Sequence, residues 1–80
     1  MTASRAMLEK RSLTLAGHAT SLALEPEFWA VIDRAADEER APLARLIARI
    51  DAERVAREPD QPLSSACRVF ALNQVLKRIP

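Results

Sequence analysis

Over residues 11–15 (R-S-L-T-L) and 19–25 (A-T-S-L-A-L-E), small or polar side chains alternate with leucines, the two-residue period of a half-buried strand. Leu13 and Leu15 occupy one face of the first segment, Leu22 and Leu24 one face of the second. Gly17-His18 lies between them and suits a tight turn. A two-residue turn there sets Leu13 opposite Leu22 and Thr14 opposite Ser21, bringing all four leucines to one side of a hairpin. Pro26 then fixes its own φ, biases Glu25 toward an extended backbone and needs no N–H in a first helical turn. The second strand is expected to end at Glu25 and pass into a helix with no loop. The carboxylates of Glu25 and Glu27 are favoured there by the helix dipole.

Beyond residue 26 the period lengthens to that of a helix. A first helix over residues 26–40 carries Phe28, Trp29, Ile32, Ala35 and Ala36 on its apolar side and Asp33, Asp37 and Glu38 on its polar side. Ala41-Pro42 interrupts the pattern, and Pro42 suits the first turn of a second helix over 42–57. That helix buries Leu43, Leu46, Ile47 and Ile50 and displays Arg45, Arg49, Asp51 and Glu53. Pro59 and Pro62 bracket a short polar connection, after which Ser64 or Ser65 is expected to cap a third helix over 63–78. On it Ala66, Val69, Phe70, Asn73 and Leu76 share one face, and Leu72, Val75 and Ile79 make a second apolar stripe. A terminal helix apolar on two sides is expected to touch more than its own chain.

Eighty residues suffice for one domain, taken as 1–80, and a chain this small buries a modest fraction of its surface by itself. Hydrophobic residues at 49% and a single glycine exclude disordered and collagen-like classes. The net charge of +1 creates no global field, but its distribution is uneven. Residues 1–23 carry Arg5, Lys10 and Arg11 against Glu9, whereas residues 24–42 carry six acids against Arg34 and Arg40. The ribbon end is basic and the first helix acidic. Cys67 and His18 are too few for a zinc cage, and no metal or cofactor is expected. No apolar run approaches the roughly 18 residues of a membrane span, and no signal-peptide core is evident, so a cytoplasmic protein is expected. No nucleophile triad or glycine-rich phosphate loop occurs, which argues against an enzyme. Cys67 reads as a small buried hydrophobe, and Arg45 and Arg49 as a solvated surface pair.

The order of strand, proline-initiated helix, short break and second helix resembles the ribbon-helix-helix proteins, the broad group of the Arc and MetJ repressors. The stretches KRSLTLAGHATSLALEPEFW and LSSACRVFAL are similar, more specifically, to a small bacterial family of ribbon-helix-helix domain proteins. In that family a strand pair precedes the helices and a Leu-Ser-Ser-Ala helix closes the chain. The resemblance spans residues 10–76. It implies a mostly α fold with a short N-terminal β-ribbon, an intertwined homodimer with antiparallel second strands, and an additional C-terminal helix. It further implies a dimer core that includes Leu22, Leu24, Phe28, Trp29, Ile32, Leu46, Ile47 and Ile50. An open strand edge and a small core independently favour pairing with a second copy.

In such proteins the outward residues of the ribbon enter the major groove of double-stranded DNA. Carried over by position, these are Ala19, Ser21 and Ala23. Lys10, Arg11, Ser12, Thr14 and His18 complete the expected DNA-binding set, on the grounds of charge, small size and polarity. Two departures stand out: only Ser21 of the three ribbon residues can hydrogen-bond a base, and Pro42 supplies no N–H where the family often anchors a phosphate. The expected function is a dimeric DNA-binding transcriptional regulator. The alternative is a protein-interaction module or antitoxin-like partner with little DNA affinity, engaging a protein through the C-terminal helix.

Overall fold

In the computed structural model, which describes residues 7–79, two antiparallel strands precede three helices. The strands are β1 (Glu9–Leu15) and β2 (His18–Leu24), and the helices α1 (Pro26–Glu39), α2 (Leu43–Arg57) and α3 (Leu63–Leu76). The ribbon-and-helices order is the one expected from the pattern, but the hairpin closes one residue earlier. Its turn is Ala16-Gly17, with φ of 51° and 83°, rather than Gly17-His18. A two-residue turn of this hand needs positive φ at both central positions. Gly17 takes the second of these and His18 is released into the ladder. Leu13 consequently faces Thr20, and Ser12 faces Ser21, a register two residues from the expected one. An even shift leaves every side chain on its own face. Leu13, Leu15, Leu22 and Leu24 still point together, toward the helices.

Strand β2 ends at Leu24 rather than Glu25, because Glu25 is the extended N-cap of α1 (φ −62°, ψ 146°) and Pro26 its first residue. Arg40, in the left-handed region, closes α1 with its N–H on the carbonyls of Ala36 and Asp37. Pro42 stands one position earlier than expected, as the cap of α2 rather than in its first turn, whereas α3 starts at Leu63 as expected, with Pro62 as its cap in place of Ser64 or Ser65. Both prolines cap from extended backbone, without a side-chain cap bond. Ser64 and Ser65 thus fall inside the first turn of α3, which ends at Leu76 with residues 77 and 78 in a turn.

Leu24, Ile32, Leu46, Ile47 and Cys67 are fully buried, with Trp29, Leu22 and Ile50 close behind. Phe28 and Leu43 pack partly against this cluster. Most of the residues expected in the dimer core thus pack together within the chain, where α3 adds Ala66, Cys67 and Ala71 to them. These small residues let α3 approach both α1 and α2 closely. The expected face of α3 is redistributed as a result: Val69 and Leu76 lie outside with Leu72, Val75 and Ile79. Burial pushes the Cys67 thiol up to about 11, which leaves it protonated and inert. Among the described residues no helix is long and apolar enough to cross a membrane.

Candidate nucleic-acid interface

Alternation along the two strands sorts the hairpin into two surfaces. The cross-strand pairs Lys10 with Ala23, Ser12 with Ser21 and Thr14 with Ala19 share the outer surface, directed away from the helices. Lys10, Ser12, Thr14, Ala19 and Ser21 are exposed and Ala23 is half-buried. This surface carries one cation, three hydroxyls and no carboxylate, and its side chains are short enough for a close approach of the backbone. Lys10 has no ion-pair partner among the described residues. The pair flanking a two-residue turn is hydrogen-bonded, and alternate pairs follow it. His18, Thr20, Leu22 and Leu24 thus direct their backbone groups to β1, and Ala19, Ser21 and Ala23 direct theirs to the open edge of β2. No third strand joins that edge among the described residues.

Arg11 does not share the surface assigned to it with Lys10 and Ser12. It has the parity of Leu13 and Leu15, so it points inward. Its guanidinium makes two bonds to Asp33 (2.8 and 3.0 Å) and one to Glu9 (2.7 Å), and it lies 4.2 Å from the centre of the Trp29 ring. These carboxylates hold the guanidinium firmly protonated. The Trp29 indole N–H donates to the Glu9 carbonyl at 2.7 Å. The group joins the start of β1 to α1, and its alternation with the leucines was the signal for it in the sequence. His18 also has inward parity, opposite Leu15, but sits exposed at the turn end. Ala19, Ser21 and Ala23 lie together with Lys10, Ser12 and Thr14; Arg11 and His18 stand apart from them.

At the start of α2 the first amides are those of Leu43 and Ala44, because Pro42 is the cap and its carbonyl accepts from Arg45 and Leu46. The missing Pro42 N–H therefore removes no donor from the helix end. Arg49 makes a two-bond pair with Glu39 at 2.8 Å, joining α2 to α1, while Arg45 is exposed. The sequence did not mark Arg54, which bonds Asp51 and the carbonyls of Pro59 and Gln61 and so fixes the α2–α3 connection. Nor did it mark Arg68, whose bond to Glu25 (2.9 Å) secures α3 to the start of α1. Among the described residues no group of acidic, histidine or cysteine side chains is arranged to hold a metal.

The model of the ribbon-helix-helix domain matches residues 8–75. The chain belongs to the ribbon-helix-helix domain family. Its fold is typical of DNA-binding regulators and antitoxins, and the family is non-enzymatic. Among solved structures it is similar to an uncharacterized protein from Bordetella pertussis Tohama I. The two are 35% identical, with a TM-score of 0.76 over 99% of this chain and 68% of that one. No curated protein matches the chain. The strand that leads directly into the first helix of this fold is β2.

Proposed function

We propose that the protein is a dimeric, DNA-binding transcriptional regulator that presents the outer surface of its hairpin to the major groove. The observation that carries this reading is the acid-free surface of Lys10, Ser12, Thr14 and Ser21 beside an unpaired β2 edge. Two copies joined antiparallel along β2 make a four-stranded ribbon with Ala19, Ser21 and Ala23 of both chains at its centre. Four strands about 4.8 Å apart span roughly 14 Å between outer axes, against a groove of about 12 Å. The two β2 strands then face the groove floor, and the β1 strands lie over its walls. In that arrangement Ser21 reads base edges, while Lys10, Ser12 and Thr14 of β1 meet phosphates. Affinity comes mostly from the phosphates and sequence preference from few contacts. Arg11 acts through the fold, by holding β1 to α1. The protein binds rather than catalyses, and its setting is the bacterial cytoplasm.

Replacing Lys10 by alanine is expected to weaken binding to every duplex and to lower the salt slope by up to about two, since two copies each lose one phosphate contact. Replacing Arg45 and Arg49 together is expected to do less, because Arg49 already serves Glu39. Fluorescence anisotropy on random-sequence duplex checks both. A dominant effect of the helix pair with a silent Lys10 would move the DNA surface off the hairpin. The second reading, an antitoxin-like or protein-interaction module on the same dimer, draws on the scarcity of base-reading groups at Ala19 and Ala23. It is distinguished by the absence of DNA affinity.

A further inference from the structure

Helix α3 has a surface that the ribbon reading leaves unused. Val69, Leu72 and Leu76 are 49%, 53% and 52% exposed, and their spacing of three and four residues is the seam of a paired helix. Ile79, 61% exposed, continues the apolar surface just past the helix end. Val75 widens the seam on the side of a shallow apolar groove shared with Phe28 and Val31 of α1. An apolar stripe of this length is not left to water on a small protein.

We propose that the seam is covered by α3 of a second copy, antiparallel, about the same two-fold axis that pairs the β2 edges; this rests on the ribbon dimer proposed above. Three features of the chain select that occupant. First, α2 packs beneath β1 and α3 beneath β2, so α3 lies on the side of the open edge. Paired strands sit about 4.8 Å apart and packed helices about 8–10 Å apart. An axis through the ribbon centre therefore leaves each β2 about 2.4 Å and each α3 about 4–5 Å away, and one operation satisfies both contacts. Second, that operation reverses helix direction, which keeps Lys77 and Arg78 of one copy away from their counterparts, as a parallel pairing would not. Third, the seam residues are uncharged and the charges bordering them are of both signs: Glu27 beside Leu72 and Val75, Arg57 and Lys77 beside Val69 and Leu76, and Arg68 met by Glu25. A border of mixed sign selects neither an acidic nor a basic partner and does not repel its own copy. The seam lies on the opposite side of the sheet from Lys10, Ser12 and Ser21, so the pairing leaves the outer hairpin surface open.

In this arrangement Leu72 meets Leu76 of the second copy, and Val69 meets Ile79. The test is sedimentation equilibrium of the native chain, of the L72E/L76E double variant and of S21P, together with oxidation of an equimolar mixture of L72C and L76C chains. A native two-chain mass is expected, with a dimer dissociation constant raised at least tenfold in L72E/L76E. Disulfide-linked dimer should form faster in the mixture than with either cysteine variant alone. Leu72 and Leu76 are half-exposed, so circular dichroism should report an intact fold; if the double variant unfolds, the cysteine mixture decides. An unchanged dissociation constant in a folded L72E/L76E, or no faster cross-linking in the mixture, overturns the α3 pairing while leaving the ribbon dimer standing. A one-chain native mass overturns both. S21P places a residue without an N–H at the β2 edge, and a dimer insensitive to it but lost with the seam would sink the ribbon contact and keep the α3 pairing.

Discussion

Ala16 holds φ at 51° beside Gly17 at 83°, a left-handed conformation that costs a residue with a Cβ roughly 1 kcal/mol. Ala16→Gly removes that strain and adds chain entropy to the unfolded state. The expected net gain is about 0.5 kcal/mol, a rise in Tm of about 2–4 °C by calorimetry. Gly17→Ala acts in the opposite direction although a Cβ there meets nothing within 4 Å, because the cost is entirely in the backbone. Arg11 illustrates a different residue-scale effect. A double-mutant cycle of Arg11→Ala with Asp33→Ala is expected to give a coupling of about 1 kcal/mol by urea unfolding, since the pair is two-bonded yet partly in water. Arg11→Lys should lose most of it, because an ammonium reproduces neither the fork nor the stacking on Trp29. The alternation of Arg11 with Leu13 and Leu15 made this inward direction legible in the sequence. Its charge pointed the other way, and parity decides because strand side chains alternate without exception in an unbulged hairpin.

Between elements, arginines tie the helices into one body: Glu39 with Arg49 joins α1 to α2, and Glu25 with Arg68 and Glu38 with Arg78 join α1 to the α3 end of the chain. Hydrogen bonds from these arginines hold the three carboxyls below the usual glutamate range. A carboxyl depressed in the folded state adds stability that is present above its unfolded value of about 4.3 and is lost as pH falls through the folded one. Glu39→Gln is therefore expected to be less stable than the native chain at pH 7, and the difference to shrink as pH falls through the folded-state value, as read by urea unfolding across an acid pH series. A difference that persists at low pH would assign the effect to packing. Every element was legible from period and proline placement, whereas their joints were not. The turn moved because Ala16 accepts positive φ, and the start of α2 moved by one residue because Pro42 serves as its cap. The α3 faces moved because Ala66, Cys67 and Ala71 outcompete larger side chains where two helices close in. Which apolar side of a short helix is buried depends on neighbours that periodicity does not name.

At the scale of the whole molecule, the buried residues of the ribbon and all three helices form one cluster. Leu24 is fully buried among Trp29, Ile32 and Leu46, so a charge at that position is expected to abolish folding outright, by circular dichroism, through burial of an unpaired ion. A folded Leu24→Glu chain would show that the core tolerates its loss. In the proposed dimer the contacts between copies are the β2 edge and the α3 seam, since the buried core residues already pack together within the chain. The outer hairpin surface was legible in the positions of Lys10, Ser12, Thr14 and Ser21, and the parity of Arg11 with Leu13 and Leu15 removes it from that surface. The central proposal is that this surface holds nucleic acid. The direct measurement is binding of the native chain to random-sequence duplex DNA at two salt concentrations. Cations on the ribbon displace counterions from the phosphates, so the affinity should be measurable at low salt and fall steeply as salt rises. Absence of binding at low salt, or an affinity indifferent to salt, would contradict the DNA-binding account.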